Sequence, residues 1–315
     1  MISLVRVALA GSGEMGMTHF RTYQRLSDVQ VVGALASSSQ GRARWEGLGV
    51  PVFGSLEELV EEAAPDVVDL CTPTDLHPAQ AIRALELGCH VIVEKPCALT
   101  ADLARSMFAA ARRQNRQLLV AQVAQFSEDG FLLRQLLEEL PYGPALDAFF
   151  QRLGPRPGWS REGWFFHRER SGLVPFDLHI HDLDLAVSLF GPAVPRSFTS
   201  AGDDSLSLCR MEYRCGEVSV GAEAGWLHTA LPFSARWRVC FRDALVVFDG
   251  TKATAYPSFA PPHALHGFPV PDPFAAELGH FLSCIRLNQP SSLVPEERVI
   301  SVLESLEALT ALSPR

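Results

Sequence analysis

Glu94-Lys95-Pro96 directly follows the apolar run His90-Val91-Ile92-Val93, so an acid, an amine and a proline close what reads as a buried parallel strand. The carboxyl ends of such strands are where open α/β sheets bind ligands. A lysine there is poorly placed for a purely structural task, because desolvation penalises its charge unless something pairs with it. A second group with chemical potential is Gly11-Ser12-Gly13-Glu14-Met15-Gly16, a GxGxxG run after the apolar segment Val5 to Ala10 and before a helical stretch from Met15 to Leu26. In that context Gly11 permits a tight turn, Gly13 lets the backbone approach a pyrophosphate, and Gly16 lets helix pack on strand. The free N–H groups at the helix start add a partial positive charge. The third group is Asp177-Leu178-His179-Ile180-His181-Asp182-Leu183-Asp184. On a helix, positions i, i+4 and i+7 share a face, so Asp177, His181 and Asp184 are expected to align while His179 points away. A carboxylate beside an imidazole holds its tautomer and supports proton transfer near neutral pH.

Two other readings of the third group stay open. His179-Ile180-His181 has the spacing of an HxH metal pair, but that pair belongs on a strand, and no further ligand cluster accompanies it; no metal is expected. Asp177 also suits a plain helix N-cap. For the dinucleotide, an NAD enzyme carries an acid about twenty residues beyond the glycines to hold the ribose 2′-OH. Here the position reads Ala36-Ser37-Ser38-Ser39-Gln40-Gly41-Arg42, with no acid. The Ser37 and Ser38 hydroxyls, with Arg42 or Arg44 nearby, suit a 2′-phosphate, so NADP is the preferred cofactor and NAD the alternative.

The elements that must position these groups are legible in outline. Strands at Val5–Ala10, Val29–Leu35, Pro65–Leu70, His90–Val93 and Leu118–Gln122 alternate with helices, which predicts βαβ units and a parallel sheet over residues 1–122. From Ala145 onward, alternating apolar and polar runs at Ser205–Tyr213, Glu217–Glu223, Arg236–Phe241 and Leu245–Phe248 predict a largely antiparallel sheet. Thr254 to Pro273 reads as a long surface loop, and helices over Pro273–Leu287 and Pro295–Leu312 close a second domain, 123–315. At 315 residues, two domains are the better prior. A net charge of −9 argues against nucleic acid or an anionic membrane as partner. Seven scattered cysteines without a CxxC pair indicate neither a zinc site nor a disulfide framework and fit a reducing cytoplasm. The opening Met1-Ile2-Ser3-Leu4-Val5-Arg6 lacks the basic region of a signal peptide, and no apolar run approaches the roughly 18 residues needed to span a bilayer.

Taken in order, GSGEMG, Cys71-Thr72-Pro73-Thr74-Asp75-Leu76-His77, Glu94-Lys95-Pro96 and DxxxHxxD at 177–184 resemble the glucose–fructose oxidoreductase / inositol dehydrogenase / MocA family. So does the closing Asp272-Pro273-Phe274-Ala275-Ala276-Glu277-Leu278. The resemblance covers nearly the whole chain. It implies an N-terminal Rossmann domain, a C-terminal α+β domain with an open sheet that forms a homodimer or homotetramer contact, and hydride exchange between nicotinamide and a carbinol or carbonyl carbon of a sugar, polyol or related small molecule. It further implies that Lys95 hydrogen-bonds the reacting oxygen, that His181 exchanges its proton, and that Asp177 holds lysine or histidine in place. Thr72, Pro73 and His77 would form the loop beside the cofactor, and Glu94 the acid near the nicotinamide ribose.

Three departures bear on the substrate. His179 stands where many members have glycine, Gln125 stands where arginine is common after the strand ending at Gln122, and the glycine-rich run before Asp177 is thinned to Gly172-Leu173-Val174-Pro175. Gln122, Trp164, Arg168 and His179 are the candidate substrate contacts, Trp164 and Arg168 within a stretch from Trp159 to Arg170 rich in aromatics and arginine. Relatives that keep this fold as glycosidases with a transient NAD, or as non-catalytic sugar sensors, are the alternatives. An intact Lys95, Asp177 and His181 argue against the sensor. The Lys95–Pro96 peptide is expected to be cis, and Val218, Val220 and Trp237 are expected on the exposed sheet face.

Overall fold

Short runs of β-branched residues punctuated by Ser- and Thr-capped helices organise the first 122 residues. The computed structural model describes residues 4–158 and 161–312, with side chains at all of these but 161 and 162. Strands β1 (Val5–Ala10), β2 (Val29–Leu35), β3 (Val52–Phe53), β4 (Val67–Leu70), β5 (His90–Val93) and β6 (Leu118–Val120) form one six-stranded sheet in the order β3-β2-β1-β4-β5-β6. Every pairing in it is parallel. The helices between are α1 (Glu14–Tyr23), α2 (Ser39–Glu46), α3 (Leu56–Ala63), α4 (His77–Glu86) and α5 (Ala101–Arg113). Strand order reverses between β1 and β4, the switch point at which a doubly wound sheet opens a crevice at its carboxyl edge. The fold class is therefore the expected Rossmann arrangement.

The chain divides into two compact units, Met1–Gln122 with Phe274–Glu296, and Val123–Pro273 with Glu297–Arg315. Helix α9 (Pro273–Leu287) thus groups with the first unit from Phe274 on, whereas the sequence placed all of 123–315 in the second. In the second unit, α6 (Glu128–Glu139), the one-turn α7 (Arg168–Ser171), α8 (Ile180–Phe190) and α10 (Glu296–Ala311) accompany an eight-stranded sheet. Its strands are β7 (Ala145–Pro155), β8 (Ala193–Asp203), β9 (Leu206–Cys215), β10 (Val218–Leu227), β11 (Ser234–Phe241), β12 (Ala244–Phe248), β13 (Ala253–Pro257) and β14 (His263–Leu265), ordered β14-β13-β12-β11-β7-β10-β9-β8. Only β7 and β10 run parallel among the paired strands. The stretch expected as a loop, Thr254 to Pro273, supplies most of β13 and all of β14.

Side-chain parity decides which face of this sheet is core. Phe150, Val220, Met211, Val239 and Val246 are buried beneath α8 and its neighbours. Val218, Val220 and Trp237 lie on that buried face, at 8%, 2% and 4% exposure, which corrects their expected placement on the outer one. Adjacent residues in a strand point oppositely, so the outer face instead carries Arg210, Glu212, Glu223, Arg236 and Arg238, with Phe149, Leu245 and Val247 half-buried among them.

One polar cluster in the second unit is fully enclosed. Asp184 on α8 is 0% exposed; its carboxylate accepts from Gln125 Nε2 at 2.5 Å and from Arg298 Nε on α10 at 3.2 Å. Arg134 Nη2 donates to Gln125 Oε1 at 2.6 Å. Removing one partner of a buried pair strands the other charge and typically costs about 3–5 kcal/mol, whereas removing both charges costs much less. Arg298→Ala is therefore expected to lower unfolding free energy by roughly that amount, and Arg298→Met with Asp184→Asn by markedly less. Denaturant unfolding that finds the single and double variants equally destabilised would contradict this account.

Candidate functional site

The glycine loop sits at the switch point of the first unit, where only glycine fits at positions 11 and 16. Gly11, at φ +104°, passes so close to the loop after β4 that a Cβ would lie 2.4 Å from Cys71 O. A Cβ on Gly16 would lie 2.3 Å from Gly11 O, whereas one on Gly13 would meet nothing within 4 Å. Helices α2, α3, α5 and α6 begin with a Ser or Thr whose hydroxyl accepts a backbone N–H of the first turn. Helix α1 begins at Gly13 with no side-chain cap. Its first N–H groups are thus left for an external acceptor such as a phosphate, with Ser12, Glu14 and Met15 flanking them.

The end of β2 turns directly into α2. Ser37 is exposed, and Ser38 Oγ accepts the Gly41 N–H at 3.1 Å as the α2 cap. Arg44 Nη1 donates to Ser12 O at 3.0 Å, which ties α2 to the glycine loop; Arg42 Nη1 reaches Val52 O at 3.3 Å. After β4, Thr72 Oγ1 donates to Gln80 Oε1 at 2.6 Å, and Pro73 leads into a short 3₁₀ turn. His77 is buried between two carbonyls, with Nδ1 2.9 Å from Pro96 O and Nε2 2.8 Å from Thr72 O. Burial lowers its pKa against the opposing pull of the two carbonyls, and the ring lies between the post-β4 loop and the turn after β5. The Lys95–Pro96 peptide in that turn is cis, as the sequence predicts.

Beneath the turn lies a buried polar cluster in which the sequence had singled out Glu94 and Gln122 but not their partners. His19 on α1 places Nδ1 2.8 Å from Asp69 Oδ2 and Nε2 3.2 Å from Glu94 Oε1, and Tyr23 Oη donates to Asp69 Oδ2 at 2.7 Å. Glu94 Oε2 accepts the Lys95 N–H at 3.1 Å. Glu277 on α9, 0% exposed, accepts the Gln122 N–H at 2.6 Å, and the Gln122 side-chain Oε1 has no hydrogen-bond partner among the described residues. Burial would lower the His19 pKa, but the Asp69 carboxylate reverses this and holds it well above its usual value. Burial would raise that of Glu94, yet His19 and Lys95 hold it low. Burial, with Glu94 nearby, pushes Glu277 well up. His19, Asp69 and Cys71 are the one trio of metal-ligand type gathered within 4.8 Å among the described residues. Their donor atoms are already engaged with one another, and burial pushes the Cys71 thiol far up.

In the second unit, Pro175–His179 forms a π-helical turn that feeds α8, so Asp177 and His181 straddle a change of helical pitch, both partly exposed. Asp184 does not join them at the surface. His179 points into the core, as expected from its helical position: Nε2 lies 2.9 Å from Tyr213 Oη and the rings stack at 5.5 Å. Burial and the Arg152 guanidinium push its pKa down to about 3. Arg152 itself donates to Asp182 Oδ1 at 2.8 Å. Trp164 stacks on Phe165 at 4.0 Å, and Phe165 and Phe166 pack edge-on against Trp226. Arg168 is exposed and ion-paired with Asp204 at 3.2 Å; Trp159 lies outside the described residues. Sequence reasoning missed His19, Asp69, Tyr23, Arg152 and Asp182. A signal existed for the first of these: an acid inside the apolar strand Val67-Val68-Asp69-Leu70 demands a buried partner.

Residues 5–122 match the model of GFO_IDH_MocA, an oxidoreductase family with an NAD-binding Rossmann fold. The D-glucoside 3-dehydrogenase of Escherichia coli K12 is 34% identical over 203 residues, 61% of this chain and 56% of that protein, so the match spans little more than half of the relative. A levoglucosan dehydrogenase solved with NADH and levoglucosan superposes with TM-score 0.86 at 17% identity, over 98% of this chain and 97% of its own. The biliverdin reductase of Synechocystis sp. PCC 6803, solved with biliverdin and NADP+, superposes with TM-score 0.81 at 18% identity, over 97% of this chain and 99% of its own. Both structures share the fold over essentially the whole chain.

The His179 environment dictates a pH dependence. Above about pH 6.5 the imidazole is neutral whether folded or unfolded. Below that, the unfolded chain binds a proton that the folded unit refuses until about pH 3, so stability falls as pH drops, by up to about 1.4 kcal/mol per pH unit. His179→Gln, which cannot take the charge, should lose less thermal stability between pH 6 and pH 4 than the parent. Parallel melting-temperature profiles for the two proteins would exclude this role.

Proposed function

Because the chain belongs to the Gfo/Idh/MocA oxidoreductase family, we propose that it is an NAD(P)-dependent dehydrogenase or reductase acting on a carbinol or carbonyl carbon of a sugar, polyol or related small molecule. The observation that carries this reading is the uncapped α1 N-terminus at the switch point, open over Gly13, on the same carboxyl edge of the sheet as the end of β5 that bears Glu94 and Lys95. These residues fit a dinucleotide: the Gly11–Gly16 loop for the pyrophosphate, Ser37 and Ser38 for the adenosine ribose, Thr72, Pro73 and His77 beside the nicotinamide half, and Glu94 at its ribose. When bound, the nicotinamide supplies the hydride acceptor or donor. The sugar or polyol class draws on the glucoside and levoglucosan dehydrogenases.

Lys95 holds the reacting oxygen and stabilises the negative charge that develops on it, a contribution often worth about 3 kcal/mol. His181 exchanges the proton, typically worth on the order of 10²–10⁴-fold, and Asp177 orients that pair. Gln122, Trp164, Arg168 and His179 remain the candidate substrate determinants. His179, buried on Tyr213, would act by shaping the wall, and Arg168 would first have to leave Asp204. NADP is the preferred cofactor, since no acid at Ser37 opposes a 2′-phosphate. The test is titration of the parent, Lys95→Ala and His181→Ala with NADPH and NADH, followed by turnover across sugars, polyols and hydroxy acids. NADPH is expected to bind more tightly. Both variants should keep cofactor affinity, Lys95→Ala should lose at least about a hundredfold in turnover at every pH, and His181→Ala should also flatten the pH profile near neutrality. Tighter NADH binding would overturn the cofactor preference, and full turnover by His181→Ala the proton role.

The protein is further proposed to be a homodimer or homotetramer through the outer face of the eight-stranded sheet. Support comes from Phe149, Leu245 and Val247, half-buried there among the ion pairs Arg210–Glu223 and Arg238–Asp147. Light scattering at micromolar concentration should report a multiple of the 34.5 kDa chain; a monomer would sink the proposal.

A further inference from the structure

We propose that His19 is a positioning residue for the strand-end turn Glu94-Lys95-Pro96, hydrogen-bonded through Nδ1 to Asp69 and set through Nε2 at ion-pair distance from Glu94, so that it holds Glu94 toward Asp69 and thereby fixes the main chain of Lys95. The inference rests on the oxidoreductase reading only for what Lys95 does; the clamp itself is geometric.

His19 is 0% exposed, Asp69 0% and Glu94 7%, so three titratable groups meet away from water. Its two ring nitrogens face two different carboxylates, at 2.8 Å and 3.2 Å. Only the imidazolium has a donor on each nitrogen, and hydrogen bonds between ionised partners are about twice as strong as neutral ones. Asp69 is locked from its other sides by the Tyr23 hydroxyl at 2.7 Å and the Cys71 thiol at 3.5 Å. On the far side of the imidazole, Glu94 uses its second oxygen to accept the Lys95 N–H at 3.1 Å. One side-chain path from α1 and β4 to the Lys95 main chain thus runs through the Glu94 carboxylate, beside the main-chain bond from Glu94 N–H to Leu70 O at 2.9 Å.

The groups facing His19 carry one more negative charge than its imidazolium supplies. Asp69 comes from β4, Cys71 from the loop after it, Glu94 from the end of β5, Tyr23 from its own helix and Glu277 from α9, which also brings the Phe274 ring to 6.2 Å. Cys71 and Tyr23 are held protonated by burial and Asp69, and Glu277 by burial and Glu94. Two carboxylates therefore share one imidazolium. With the group at Nε2 gone, nothing would stand between Glu94 and the Asp69 carboxylate, and Glu94 would have to swing away or take up a proton. Swinging away withdraws the acceptor from the Lys95 N–H, and protonation leaves only a weaker, neutral one. The purely architectural alternative, that His19 only glues α1 to β4, needs the Asp69 bond and not the Glu94 contact.

Two isosteres separate these roles. Asn places its amide where Nδ1 stands and keeps the Asp69 bond; Gln places its amide where Nε2 stands and keeps the Glu94 contact. We expect His19→Asn to lose on the order of a hundredfold in kcat, the usual scale for a small misplacement of a reacting group, with NADPH affinity changed by less than about threefold. His19→Gln should recover at least about tenfold of that loss. Hydrogen–deuterium exchange read at the Lys95 amide supplies a measure independent of turnover. Protection there should fall in His19→Asn and return in His19→Gln, with exchange in β2 unchanged. Should the His19 variants fail to fold, Glu94→Gln in the parent chain weakens the same link and should show the same loss of Lys95 protection. Unaltered Lys95 protection in His19→Asn or Glu94→Gln, or equal loss of kcat in the Asn and Gln variants, would overturn the clamp. If the parent turned over no sugar or polyol with either cofactor, the oxidoreductase reading would fall, while the exchange data would still decide the clamp.

Discussion

The close approach of three backbone segments at the switch point is the constraint on which the first unit depends. Gly11 O, the Gly16 Cα and Cys71 O lie so near one another that a methyl group at either glycine would sit within 2.4 Å of a carbonyl oxygen. That contact presses α1 onto β1 and β4. It also brings His19 and Tyr23, on the buried face of α1, over Asp69 in β4. The same geometry leaves Gly13 open and α1 uncapped. One packing requirement thus produces both the anion-ready helix start and the buried carboxylate partnership beside Lys95.

Buried charge in both units follows one rule: each carboxylate in the interior is met by a cation or several donors, since the desolvation cost is otherwise too large. Asp69 has His19 and Tyr23, Asp182 has Arg152, and Asp184 has Gln125 and Arg298. Glu277 is the exception: it accepts the Gln122 N–H, and burial pushes its pKa well up. Gln125 occupies a place where the family resemblance led us to expect arginine. Arg134 and Arg298 reach the same spot from α6 and α10, so the positive charge is retained while its carrier has moved. The departure read as a question about substrate is thus answered locally as a rearranged core network.

The parallel sheet, the glycine loop and the Glu94-Lys95-Pro96 turn were legible because each depends on local sequence: apolar runs of fixed length, a glycine spacing and an X–Pro bond. The second sheet was legible as a sheet but not in its facing. Val218, Val220 and Trp237 alternate correctly, yet alternation fixes only that two faces differ; which face is core depends on where α8 packs, a long-range fact. Thr254 to Pro273 hid β13 and β14 because its prolines and glycines mask short edge strands, which tolerate them. Helix α2 was passed over because Ser38 was read as a cofactor contact rather than as a cap. The Asp177–His181–Asp184 stripe assumed uniform helical pitch. The π turn at Pro175–His179 breaks that assumption, and Asp184 belongs to the interior.

The outer sheet face has a pattern suited to self-association and little else. Across the strands, Thr199, Arg210, Glu223, Gln151 and Arg236 form one row, and Ser197, Glu212, Phe149, Arg238 and Val247 much of the next. Exposed ion pairs of this kind add little stability each, so their interleaving does not explain the monomer fold. A surface of one sign would repel its own copy, whereas positive and negative groups interspersed with half-buried Phe149, Leu245 and Val247 are complementary to the same surface rotated by a two-fold axis. Isologous contacts demand that property. The expectation that Val218 and Trp237 would drive association was wrong in its residues. The proposed association would instead rest on the opposite parity, where polar pairing would set register and Phe149, Leu245 and Val247 would supply a smaller buried apolar area.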